Sequence, residues 1–247
     1  MHRNHGSEQE ISADARVYID ILLDMEIGIL YTFNSERNVN TDKKYRPFDE
    51  SKEDFIMKKS FWKTLVGTWN TKTVVGVAIG AALFGVLMNF GSIKVFTNTN
   101  LTTAMLVSVI VGGMFGPLPA FVAAGVGNVI ADLIGGWGLW FDWSVGNAVL
   151  GLFVGALPLY GAKIEDGIFT VKHVIIYIIM CVLGNALAFG IVTPIMTALF
   201  YGGELTITFL QSLTGGVSNC AVLIIIGIPL LKLMAARNAR NSNLSKE

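Results

Sequence analysis

From residue 73 onward the chain is written almost entirely in apolar residues, in stretches long enough to cross a bilayer. A hydrocarbon core asks for about 20 helical residues per crossing. Six stretches come near or beyond that length: 73–93, 101–115, 117–135, 143–161, 171–200 and 207–236. The second is short, and the turn signal Gly116-Pro117-Leu118-Pro119 separates it from the third. The fifth and sixth exceed the minimum and are expected to tilt, or to break at Pro194 or at Gly215-Gly216. Backbone in lipid must satisfy its own hydrogen bonds, and barrel-like alternation is absent. The expected fold is therefore an all-α integral membrane protein of six transmembrane helices. Composition agrees: 15% of residues are charged and 53% are apolar, whereas soluble domains carry about 25% charged residues.

The net charge of zero, from 18 basic and 18 acidic residues, conceals two unlike parts. Residues 1–56 hold 7 Lys/Arg and 12 Asp/Glu, while residues 57–247 hold 11 and 6. The first part lacks the basic start and apolar run of a secretory signal. Its one apolar patch, Ile19 to Phe33, is interrupted by Asp20, Asp24 and Glu26, which leaves room for a weakly amphipathic helix and no span. Residues 1–56 are expected to be a polar, acidic N-terminal extension, disordered or outside the native protein, with Met57 as the physiological start. Residues 57–247 are the membrane domain.

Orientation follows from the basic residues of the second part. With both termini cytoplasmic, Lys58, Lys59, Lys63, Lys72, Lys163, Lys172, Lys232, Arg237, Arg240 and Lys246 lie inside, and only Lys94 lies outside. That asymmetry is the positive-inside pattern, and it favours an even number of crossings. A bacterial cell membrane is the expected location.

The outer ends of the spans carry the unusual residues. Asn128 and Asp132 are four apart and share a helical face. Trp137, Trp140, Asp142, Trp143 and Asn147 follow within a short distance. Tryptophans in such a place also form an ordinary interfacial belt, and Asp132 also suits a helix end reaching water. A carboxylate near the membrane is nevertheless a functional candidate by default. Asn185 and Asn219 interrupt apolar spans, where amides commonly bond to neighbouring helices. Together, aromatic walls and a few polar groups describe a small-molecule pocket. A planar heteroaromatic ligand would stack on the indoles and be selected by the amides. In the first span, Gly76, Ala78, Gly80, Ala81, Ala82 and Gly85 leave every face small, open either to internal packing or to a partner.

Catalytic constellations are missing from the text. His173 stands alone after His5, which removes Ser–His chemistry and histidine metal sites from the membrane part. No GxxxxGK[ST] is present for a P-loop ATPase. Cys181 and Cys220 lie in apolar runs without metal or disulfide spacing. Neither a cofactor nor nucleic-acid binding is expected, and the chain reads as a non-enzyme.

Several stretches resemble a known family. Ala78-Ile79-Gly80-Ala81-Ala82 looks like the AxxxA of substrate-binding (S) components of energy-coupling factor (ECF) vitamin transporters. GGMFGPLPAFVAAGVGNVIADLI, KIEDGIFT and LTGGVSNCAVLIIIG are similar to the riboflavin-type S components, and the likeness runs from about Thr71 to Arg237. It implies a subunit that captures riboflavin or a related vitamin outside, then docks on a transmembrane coupling subunit driven by two cytosolic ATPases. Ala78 and Ala82 would form the docking face, and residues 92–100 would act as a lid over the ligand. Cobalamin, a queuosine precursor or a thiamine-like compound are alternative substrates. A stand-alone secondary transporter, which commonly shows repeated halves and midplane charges, and a membrane scaffold are the readings from other classes.

Overall fold

The structure, a computed structural model, describes residues 50–96 and 99–244, with side chains over 58–92 and 102–240. The chain divides into two units, Met1–Glu50 and Ser51–Glu247. The expected helix over 19–33 and the acidic extension up to residue 49 lie outside the described residues. Helix α1, Glu50–Val66, passes through Met57 without a break.

Gly67, at φ 71°, ends α1 in a conformation that favours glycine. The Asn70 side chain then accepts the Thr73 amide at 2.9 Å and caps α2, Thr71–Phe90. After α2 come strands β1, Ser92–Phe96, and β2, Thr99–Thr102, paired antiparallel. Helices α3, Met105–Phe115, α4, Pro117–Gly135, and α5, Phe141–Val154, follow. A 3₁₀ turn at Leu157–Tyr160 leads to α6, Val171–Leu187. A π-helical turn, Ala188–Val192, joins α6 to α7, Thr193–Tyr201. Helix α8, Leu205–Val222, continues through a second π-turn, Leu223–Gly227, into α9, Ile228–Leu244.

Among the described residues, five segments are long and apolar enough to cross a membrane: Thr71–Phe90, Pro117–Gly135, Phe141–Tyr160, Val171–Tyr201 and Leu205–Arg240. Helix α3 is the sixth apolar segment, with 11 residues. The expected second span, 101–115, is corrected at its start. Leu101 and Thr102 belong to β2, where the β-branched Thr99 and Thr102 suit an extended strand better than a helix. The Thr102 hydroxyl then accepts the Ala104 amide at 3.1 Å, just ahead of α3. Residues 92–96 and 99–100, within the stretch expected to act as a lid, supply most of this hairpin, the only sheet among the described residues.

The breaks in the long spans have a common cause. Each π-turn lies next to a proline, Pro194 or Pro229. Proline lacks an amide donor and its ring presses on the carbonyl four residues back, so an extra residue in the turn relieves the clash. The fifth break is where Pro194 places it. The sixth falls at Leu223–Gly227 and not at Gly215-Gly216, which remain inside α8.

Close approach of small residues builds the core. A Cβ added to Gly127 would sit 2.6 Å from the Phe84 side chain, which is wholly buried. One on Gly151 would meet the Ala120 carbonyl at 2.7 Å, and one on Gly85 would meet Ile130 at 2.6 Å. These contacts draw α2, α4 and α5 together at distances larger side chains forbid. The small residues of α2 divide accordingly. Gly80, Ala81 and Gly85 are buried, whereas Ala78 and Ala82 are exposed beside Val75, Ile79, Leu83 and Val86. Gly127→Ala is expected to destabilise the protein by about 1–3 kcal/mol through overpacking. Gly190→Ala meets no atom within 4 Å and should change stability by less than about 0.5 kcal/mol. Thermal unfolding in detergent compares the two, and equal shifts would contradict the packing described.

Candidate functional site

Successive spans alternate in direction, so one end of the bundle gathers the β1–β2 hairpin, the α4–α5 connection and the α7–α8 connection. The polar residues of interest lie at that end or one to two turns below it. Asp132 sits at the close of α4, where Gly136 adopts φ 65° and turns the chain away. Its Oδ2 accepts the Trp140 amide at 2.9 Å and, more weakly, the Asn128 Nδ2 at 3.5 Å. The carboxylate thereby ties the end of α4 to the start of α5. Asn128 Nδ2 also donates to Ser144 Oγ at 3.1 Å, and Asn128 Oδ1 accepts from Asn147 Nδ2 at 2.7 Å. Asp132, Asn128, Ser144 and Asn147 are thus one buried network between α4 and α5.

Asp142 is wholly buried but belongs to a different contact. Its Oδ2 accepts from the Thr197 hydroxyl, and its carbonyl accepts from Thr193 at 3.5 Å, which links α5 to α7. Its Oδ1 has no partner among the described residues. Trp140 packs against Tyr201 with ring centres 4.8 Å apart and the planes tilted by 49°, and the Tyr201 hydroxyl accepts the Phe141 amide at 3.0 Å. Trp137 is 51% exposed and Trp140 is 38% exposed. Both stand partly exposed at this end of the bundle, as an interfacial belt would.

Trp143 points the other way. Its ring lies 5.7 Å from that of Phe189, and Phe189 in turn packs on Gly216 of α8. One turn further into the bundle from each of these residues comes a buried amide: Asn147 on α5, Asn185 on α6 and Asn219 on α8. The spacing i, i+4 on α5, i, i−4 on α6 and i, i+3 on α8 puts all three amides at one level beneath the Trp143–Phe189 layer. Asn185 donates to the Cys181 carbonyl of its own helix at 2.8 Å, not to a neighbouring helix. The Oδ1 atoms of Asn147 and Asn185 are buried without a described partner. An unpaired buried acceptor costs about 1–3 kcal/mol, so such groups mark a place where something else can donate.

Ser144, Phe189, Thr193, Thr197 and Tyr201 complete these contacts and were not among the sequence candidates. Serine, threonine and a single phenylalanine in apolar helices give no signal of their own. Only their spacing from Asp142 and Trp140 across α5 and α7 reveals them. Thr197→Val removes the donor to the Asp142 carboxylate and is expected to destabilise the protein by about 1–3 kcal/mol. Thr214→Val, which loses only an exposed bond to the Leu210 carbonyl of its own helix, should leave the unfolding temperature nearly unchanged.

A bundle of apolar helices holding buried amides under an aromatic layer has the makings of a membrane-embedded binding subunit. Residues 68–236 match the family described as ECF-type riboflavin transporter, S component, and the chain belongs to that family. It is similar over 180 residues to a UPF0397 protein of Vibrio vulnificus, at 36% identity, covering 72% of this chain and 98% of that one. A UPF0397 protein of Aliivibrio fischeri is 33% identical over 72% of this chain and 97% of its own length. One from Clostridium perfringens is 29% identical over 71% and 95%. Among solved structures, FolT bound with folic acid shares 20% identity, covers 66% of this chain and 98% of its own, and superposes with a TM-score of 0.48.

Proposed function

We propose that this membrane protein is the riboflavin-binding subunit of an ECF-type importer, taking its ligand from outside and passing it inward by docking on a coupling subunit with two ATPases. The observation that carries the ligand assignment is the level of three buried amides, Asn147, Asn185 and Asn219, with two carbonyl oxygens unpaired. Flavins offer what those oxygens need, an imide N–H on the ring and hydroxyls on the ribityl chain. Trp143 supplies an aromatic face above them, and Asn128 and Asp132 hold Asn147 from behind. The β1–β2 hairpin would act as the lid. Trp137 and Trp140 enter as anchors in the interface, and Asp142 as a brace to α7.

Both termini are assigned to the cytoplasm. Lys63, Lys72, Lys163, Lys172, Lys232 and Arg237 all belong to the end opposite the hairpin, in keeping with the positive-inside rule. The exposed Ala78 and Ala82 offer a close-approach surface for the coupling subunit, since the buried glycines of α2 already serve the core.

Riboflavin fluorescence quenching on purified protein tests the ligand. The double variant Asn147→Leu/Asn185→Leu should bind at least tenfold more weakly, about 1.4 kcal/mol, while remaining folded. Unchanged affinity, or no riboflavin binding by the wild type, would reject the assignment. Docking is tested separately with Ala78→Trp/Ala82→Trp. Cells supplied with the coupling module should lose uptake through this variant, whereas its isolated binding affinity should match the wild type. Equal loss of both would return the alanines to internal packing.

A further inference from the structure

At the end of the bundle opposite the hairpin lies a cleft of about 520 Å³ that the proposed vitamin site does not use. Three pieces of chain form it: the α1–α2 turn, the α3–α4 turn and the stretch from Pro158 to Asp166. Its walls are firmly built. A Cβ on Gly67 would meet the Phe115 carbonyl at 2.8 Å, so the two turns touch. The Ile168 amide donates to the Lys163 carbonyl at 2.9 Å, and Asn238 Nδ2 of α9 donates to the Ile164 carbonyl at 2.9 Å, which fixes the third piece.

Three amines, Lys63, Lys72 and Lys163, and two carboxylates, Glu165 and Asp166, line this cleft. Lys72 Nζ is held 3.1 Å from Glu165 Oε1 and 5.9 Å from the centre of the Phe115 ring. Lys63 and Lys163 make no ion pair with any described carboxylate. The lining thus carries one excess positive charge. Because α2 starts its crossing at Thr71, the cleft opens where hydrocarbon gives way to headgroups. Phe61, Trp62 and Trp69, all exposed, flank it as interfacial aromatics do. Below it the exposed Val74 and Val75 of α2 continue as an apolar track.

We infer that this cleft binds the headgroup of an anionic phospholipid, its single-charged phosphodiester held by Lys63 and Lys163 and its acyl chains lying along α2. Charge, position at the bilayer edge and the adjoining apolar track each fit that occupant, and basic pockets between spans are the usual seat of such headgroups. The inference is independent of which vitamin, if any, the protein carries.

Native mass spectrometry of the full chain in detergent, titrated with phosphatidylglycerol or with phosphatidylcholine of the same acyl chains, tests it. The wild type should retain phosphatidylglycerol in preference. Lys63→Gln and Lys163→Gln, both exposed and compatible with folding, should each weaken retention roughly fivefold, as removing about 1 kcal/mol per lysine implies. Lys172→Gln and Lys232→Gln, at the same end but outside the cleft, should retain the lipid like the wild type. Equal retention of the two lipids would overturn the inference, as would equal losses in all four variants. Displacement by free glycerol phosphate at the concentration of the lipid would overturn it too, by assigning the cleft to a soluble phosphate.

Discussion

Hydrocarbon offers a backbone no hydrogen-bond partner, and every larger feature of this protein answers to that constraint. Chain inside the bilayer must be helical, so variety has to come from how closely helices approach and from where helices deviate. Close approach is bought with glycine and alanine: Gly127 admits Phe84, Gly151 meets the Ala120 carbonyl, and Gly85 admits Ile130. Among the described residues, the two longest spans deviate at π-turns, each beside a proline, and the span Phe141–Tyr160 ends in a 3₁₀ turn. The one strand pair among the described residues lies at the edge of the bundle, where β1 and β2 join α2 to α3.

The same constraint governs the buried polar groups. Asp132 is tolerable because the Trp140 amide and Asn128 meet one of its oxygens, and the bond to Trp140 joins two helices at their ends. Asp142 is braced by Thr197 in a second joint between α5 and α7. These two carboxylates look alike in the sequence, yet they bond to different partners, Asp132 to the start of α5 and Asp142 to Thr197 of α7. The amides one layer down differ, because Asn147 and Asn185 keep acceptors that no described helix fills.

Much of this was legible in the amino-acid text. The apolar runs marked the long segments, and the asparagines and aspartates that interrupt them are indeed buried. Hydropathy could not tell that Leu101 and Thr102 leave the helix for a strand, because strand pairing depends on their partners Ile93 and Ser92 in β1, eight and ten residues earlier. It also could not rank the tryptophans. Trp137, Trp140 and Trp143 sit within seven residues, but only the direction of the first turn of α5 decides that Trp143 faces inward and its neighbours face out. Glycine pairs mislead for a related reason: Gly215-Gly216 looked like a break, yet in α8 Gly216 accommodates Phe189 and keeps the helix regular. The division of α2 into buried glycines and exposed alanines likewise needed the neighbouring helices, since the text made every face small.

The π-turns carry one more consequence. Each adds a residue to a single turn, so the side chains beyond it are rotated by about 100° relative to an uninterrupted α-helix. The stretches 171–201 and 205–240 therefore have no single lipid face and no single core face. Each is two amphipathic codes spliced end to end, with the splice at Ala188–Val192 or Leu223–Gly227. Along these spans a residue's environment is set by which side of the splice it occupies as much as by its own chemistry.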